Sequence, residues 1–447
     1  MAGMGGLHAM RRYYLLLLIL WIHCGDLFTA WLYDAGNFPA ASMLRPSRDA
    51  TIIITAALCL LVCRLPRDML IAIVLYGALA LVHIPVGLAY GVSLPIIIGS
   101  FGSLMIPPLL FLVGYYCIRN AAELQRSASF IVVIALASTA FGAWDIGHTE
   151  FWTHTLRFPE YSAQIKGVLP RSTHPETALP WNFYMGTMEN LQRRAAGLLA
   201  APLAQGSFLA IAALLALAMN HRYLRDRAGL CLRLLLCAML LAGVWMSGTR
   251  GAMLMAGIAL LGYALSARQL SGPPWVRLML ASVVLTGFLA ASASLIIKTI
   301  FFLDGSSIGH WTALQKNLQD LPQVLLLGGG LGRQGAVAGT LFLSSLGGGE
   351  GAIFSIAFQI GVPGALVFLY FYGRAMLLAL KGYRQHQETL GLAIFYLAAG
   401  MTITLVTSEH ILSVSGSAAL WLMLGGAVRA FGALDTGNAV ITSQPLR

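Results

Sequence analysis

Apolar runs of roughly 18 residues or more recur along the whole chain, and that repetition decides what the chain can fold into. A backbone crossing lipid must pair every N–H and C=O internally, so only helices or closed barrels can do it. The runs are continuous rather than alternating, which selects helices. Only 10% of the 447 residues are charged and 58% are hydrophobic; soluble domains carry about 25% charged residues. The expected fold class is all-α, a polytopic integral membrane protein forming one transmembrane domain over 1–447. About twelve spans are predicted, at 13–33, 49–63, 69–90, 93–118, 128–146, 198–219, 229–247, 251–267, 277–297, 352–380, 387–407 and 411–432. Pro107-Pro108 predicts a kink in the fourth. Arg11-Arg12 before the first run mimics a signal peptide, but that run is long and lacks a small-residue cleavage site, so it reads as a retained first helix.

Charge sets the orientation. Most of the 28 lysines and arginines fall in the tails and in short loops on the side of the N-terminus. The short connections on the other side carry only Arg45, Arg48 and Arg250. By the positive-inside bias, both termini are cytoplasmic. The two long loops, about 147–197 and about 298–351, then face outward, as do the turn Ser247–Gly251 and the connection at Ser408-Glu409-His410. The net charge of +11 is thus largely a topology signal plus attraction to anionic lipid, and no nucleic-acid partner is implied. The six cysteines lie within or at the ends of apolar runs, with neither a disulfide framework nor metal-ligand spacing. No phosphate-binding glycine motif precedes a helix, which argues against ATP hydrolysis. No cofactor is expected.

The unusual polar chemistry gathers on the outward side. Arg193 and Arg194 stand where the first long loop enters a span, in RRAAGLLAAPLAQG. They are either snorkelling anchors or ligands for an anionic headgroup, for which the planar guanidinium fork suits two oxygens. Arg250 sits in SGTRGAMLM, a turn too short to carry it away from the helix ends, and it runs against the positive-inside bias. The following helix N-terminus adds positive potential there. His310 and Trp311 lie in SSIGHWTALQKNL, a capped amphipathic segment; the histidine is either structural or an acid/base group, and the tryptophan either an interfacial side chain or a sugar platform. Glu350 closes a Gly-Gly-Gly run before a span, as a complement to the helix dipole or as general base for an acceptor hydroxyl. Arg333, in LGGGLGRQG, is a third anion ligand or a solvated charge. Glu409 and His410 support the same site. The first long loop, aromatic and amphipathic, is expected on the membrane interface. His23, Asp26 and His83 read as polar groups used in helix packing.

Taken together, Arg194 in RRAAGLLAAPLAQG, Arg250 in SGTRGAML, SSIGHWTAL followed by LLLGGGLG, and EGAIFSIAFQIGVPG resemble elements of the O-antigen ligase and Wzy-type polymerase superfamily of bacterial surface polysaccharides. The motifs cover roughly 190–370. The resemblance implies a metal-independent, inverting glycosyltransferase outside the bacterial cytoplasmic membrane, with a glycan on undecaprenyl pyrophosphate as donor. It further implies a glycan acceptor, membrane lipid and a chain-length regulator as partners. Glu350, Arg250 and His310 would be catalytic; Arg194, Arg193, Arg333, Trp311 and His410 would bind substrate. Ligases begin the element that here begins with Glu350 with a histidine, and this departure favours a polymerase of repeat units. The alternatives are a ligase delivering finished glycan to lipid A core or protein, and a non-enzymatic transporter of lipid-linked sugar. A transporter would carry charges along a central path within its spans.

Overall fold

The computed structural model describes residues 2–187, 190–219, 227–267, 305–335 and 346–432, with isolated residues between 268 and 304. It is a bundle of apolar helices. In chain order they are α1 (Ala2–Asp34), α2 (Phe38–Val62), α3 (Arg67–Ala89), α4 (Leu94–Cys117), α5 (Ala121–Asp145), the short α6 (Phe158–Gln164), α7 (Pro202–Ala218), α8 (Arg227–Met246), α9 (Arg250–Ser266), α10 (Gly305–Asp320), α11 (Ala352–His386), α12 (Thr389–Thr404) and α13 (Val414–Gly432). Among the described residues seven helices are long and apolar enough to cross a bilayer: α1, α3, α4, α5, α8, α11 and α13. The chain is an all-α membrane protein. A helix underlies every stretch read as a span except 277–297, which apart from isolated positions lies outside the described residues.

Two helices hold the centre. α7 is almost wholly buried, packing against α5, α8, α9, α12 and α13. α13 packs against α4 and α11. Lipid gives apolar helices no hydrophobic reason to associate, so close backbone approach through small residues has to supply the contact. At the crossing of α4 and α13 a Cβ on Gly114 would stand 2.1 Å from the carbonyl oxygen of Leu422, and one on Gly425 would stand 2.0 Å from that of Phe111. Glycine alone lets these backbones touch.

Two features differ from the sequence reading: the start of α2 and a hairpin in the first long loop. α2 begins at Phe38, so Arg45 and Arg48 are helical rather than part of a short connection. Arg45 pairs with Asp26 of α1 at 2.8 Å, and Lys166 reaches the other oxygen of the same carboxylate at 2.8 Å. Asp26 therefore clasps the first long loop to α1. That loop also packs on itself. Trp152, Phe158, Tyr161 and Phe183 turn inward on Ala30, Leu179 and Ala196 to form a small core of their own. The loop ends in a two-stranded hairpin, β1 (Tyr184–Thr187) and β2 (Asn190–Arg193), which a reading for helices gave no cause to expect. Pro107 and Pro108 both lie within one continuous α4.

α11 is broken. Ile360 and Gly361 leave helical geometry, Gly361 with φ +80°. The carbonyls and amides freed there are taken up by the glycine-rich segment before it: Gly329 N–H donates to Phe358 O (2.6 Å), Gly330 N–H to Gln359 O (3.2 Å), and Val362 N–H to Leu325 O (2.9 Å). This seam carries the second long loop and sets the height of its polar residues against the bundle.

Candidate functional site

The polar groups are brought to one place by four short segments. The first is the end of the hairpin. Arg194 follows β2 directly and is buried, its Nε donating to Ser247 O at 2.7 Å and Nη2 to Thr249 Oγ1 at 3.0 Å. The second segment is the turn that receives it. Thr249 Oγ1 also donates to Pro202 O at 3.1 Å, so the turn is knitted to the start of α7. Gly248, at φ +59°, makes the approach possible, since a Cβ there would meet Met185 Sδ at 2.4 Å. Arg250 then opens α9 and its Nη1 donates to Ser307 Oγ of α10 at 2.7 Å.

The third segment runs through Gly349–Gly351. Glu350 stands one residue before the helix cap of α11, at the positive end of its dipole. Buried Asn317 of α10 fixes the run: its Nδ2 donates to Glu350 O (2.8 Å) and its Oδ1 accepts from Gly348 N–H (2.7 Å). Asp320 accepts from Gly347 N–H at 2.8 Å. The same helix supplies His310, whose Nδ1 is hydrogen-bonded to the Glu350 carboxylate. The fourth segment is 405–413. Its carbonyls receive the first amides of α11, Ala352 N–H to Ser408 O (3.0 Å) and Ile353 N–H to Leu405 O (3.1 Å), which places His410 beside the same opening.

These segments enclose a cavity of about 580 Å³ lined by Arg194, Arg250, His310, Glu350, Glu409 and His410, with Tyr184, Thr249, Ser408 and Ser413 among the rest. Burial, and then the nearby charge of Arg250, lowers the pKa of Arg194 to about 10. Burial, and then the charge of Arg194, lowers that of His410 to about 4, so at neutral pH its imidazole is uncharged. No family model matches the chain, and no curated protein matches it.

Three residues expected at the site stand elsewhere. Arg193 does not line the cavity: its guanidinium lies 5.0 Å over the Phe183 ring and 3.6 Å from Asp145. The extended pairing runs one residue past β2, Arg194 N–H donating to Phe183 O at 2.9 Å, so its alternation turns one arginine of the pair to the site and the other to the loop. Arg333 does not line it either; it stacks 3.9 Å over Tyr90. Trp311 is half-exposed on α10, beside the cavity rather than in its wall. Two supports were not singled out from the sequence. Asp145 accepts the amides of Ala196 (3.1 Å) and Gly197 (2.8 Å) just after Arg194. Asn317 holds Glu350. An aspartate ending an apolar run and an asparagine on the inner face of an amphipathic helix were the only signals.

Proposed function

We propose that this chain is a membrane glycosyltransferase that takes a glycan from undecaprenyl pyrophosphate at the outer face of the bacterial cytoplasmic membrane and extends a surface polysaccharide by repeat units. The finer topology belongs to the same proposal: about twelve spans, both termini cytoplasmic, and the loops at 147–197 and 298–351 outside. The observation that carries the reading is that Arg194 and Arg250 share one cavity with the His310–Glu350 pair. Two guanidinium groups held together in a partly dry site disfavour each other, and a diphosphate relieves that repulsion while accepting their hydrogen bonds.

The chemistry follows from these positions. An acceptor hydroxyl attacks the anomeric carbon from the face opposite the diphosphate. The new C–O bond forms as the bond to the diphosphate breaks, and its electron pair leaves on the phosphate oxygen, where the two arginines stabilise the growing charge. The hydroxyl proton passes to the His310–Glu350 pair. With Nδ1–H donated to Glu350, the neutral ring carries its lone pair on Nε2, and the carboxylate steadies the imidazolium that forms. Direct attack inverts the anomeric centre. No metal ion or cofactor is invoked, because the diphosphate is already a good leaving group.

One observation favours a second reading. Glu350 in place of the ligase histidine argued for a polymerase, yet His310 brings a histidine to the same carboxylate from another segment. A ligase acting on lipid A core or protein is therefore the alternative. Deletion of the gene separates the two: a lost polymerase leaves single repeat units on the acceptor, and a lost ligase leaves none attached. Arg250→Ala tests the site itself. The variant should insert normally and fail to extend glycan chains on gels, and chains of ordinary length from it would remove Arg250 from the site.

A further inference from the structure

The segment Leu325–Leu331 makes hydrogen bonds far down the walls of two membrane helices. Leu327 O accepts from the ring Nε2 of His83, and Leu331 N–H donates to His83 O at 3.2 Å. His83 lies six residues before the end of α3 at Ala89, which at 1.5 Å per residue is about 9 Å below that end. On the other side the segment bonds to Phe358, Gln359 and Val362 of α11. These residues stand six to ten positions inside that helix, again about 9–15 Å from its start. Both helices are long and apolar enough to span. The irregular backbone thus dips beneath the helix ends, which lipid tolerates only where protein groups satisfy it. The break at Gly361, with its freed amides and carbonyls, supplies them.

The side chains at this depth face outward. Leu326 and Leu327 are 78% and 79% exposed, far beyond what a membrane-depth segment enclosed by protein would show. Val82, Leu88 and Tyr90, on or just past the last turns of α3, are exposed as well. Just before them in the chain, α10 presents Ile308, Trp311 and Leu318, each about half exposed, at steps of three and seven residues along one helix flank. Its other face, at Leu314, and the turn that follows it, at Leu321 and Val324, are held to Phe354 and Phe358 of α11.

We propose that Leu325–Leu331 is a re-entrant segment with Leu325, Leu326 and Leu327 inserted among lipid chains, and that α10 lies along the membrane surface on its Ile308, Trp311 and Leu318 flank. The partner is the hydrocarbon boundary of the bilayer. The helix that carries His310 is thereby held at a fixed height over the membrane. This inference is independent of the glycosyltransferase reading and survives its failure.

The test uses the unmodified full chain in lipid nanodiscs and two photoactivated carbene labels, one carried near the end of a phospholipid acyl chain and one dissolved in water. Adducts are located by mass spectrometry. The lipid-borne label should mark 325–327 about as strongly as the peptide containing Val82, and the water-borne label should mark Lys316 and Gln323 while sparing 325–327. Strong water-borne labelling of 325–327, with the lipid-borne label confined to Val82 and its neighbours, would overturn the proposal.

Discussion

Replacing Arg194 by glutamine should separate binding from stability. The folded protein holds this guanidinium at a cost, because burial and Arg250 lower its pKa to about 10. The lowering corresponds to roughly 3 kcal/mol by which the charged form is disfavoured. Against that stand its hydrogen bonds to Ser247 O and Thr249 Oγ1, each worth about 1.5–3 kcal/mol as bonds to a charged group. Glutamine retains one of the two donations and loses the charge, so the opposing contributions come within a few kcal/mol of cancelling. Thermal unfolding in detergent should therefore shift by only a few degrees. Binding of a diphosphate should suffer fully, since one charge-assisted bond of about 1.5–3 kcal/mol is a factor of roughly 10–150 in affinity. Titration calorimetry with a soluble short-chain isoprenyl diphosphate reads that factor. Affinity within about twofold of the parent protein, at unchanged stability, would refute the assignment of Arg194 as a diphosphate ligand.

Stability should depend on pH through His410. Its folded pKa of about 4 lies below the ordinary histidine value, so the unfolded chain takes up the proton first and stability is lost as pH falls from about 6.5 to about 4. Partial exposure limits the effect to about 1–3 kcal/mol; His410→Gln should flatten the unfolding temperature across that window. Gly425→Ala should destabilise the bundle by about 1–3 kcal/mol or more, because its new methyl meets the Phe111 carbonyl; chemical or thermal unfolding measures this. Asn317→Ala should release the Glu350 backbone and lower the turnover number more than it weakens diphosphate binding, a split that kinetics and calorimetry resolve. Arg333→Ala, which among the described residues loses its stacking on Tyr90 and a weak bond to Gly329 O, should leave diphosphate affinity within about twofold.

The helical bundle was legible because apolar runs of span length allow little else, and helices lie where those runs lie. Arg250 and Glu350 were legible as site candidates for a local reason: each stands in a glycine-flanked break between apolar runs, where a charge has no packing role to fill. What joins them was not legible. The hydrogen bond from His310 to Glu350 links positions forty residues apart, and the Arg194 bonds to the 247–249 turn link positions more than fifty apart. No periodicity encodes such pairings. Arg193 and Arg194 are equivalent by composition, and only the strand alternation of β2 divides them. The inward turn of the 147–197 aromatics was missed because aromatic residues suit an interface and a small core equally. The dip of Leu325–Leu331 depends on a helix break that a glycine in an apolar run suggests but does not require.

Glycan transfer from a lipid diphosphate is the proposed work of the cavity holding Arg194, Arg250, His310 and Glu350. It is tested most directly with purified protein in liposomes supplied with undecaprenyl-pyrophosphate-linked oligosaccharide, with neither nucleotide nor ion gradient. Longer glycans and released undecaprenyl pyrophosphate should appear by mass spectrometry, both abolished by Glu350→Gln. Recovery of the starting oligosaccharide, unchanged except for the leaflet in which it resides, would contradict it and point to a transporter.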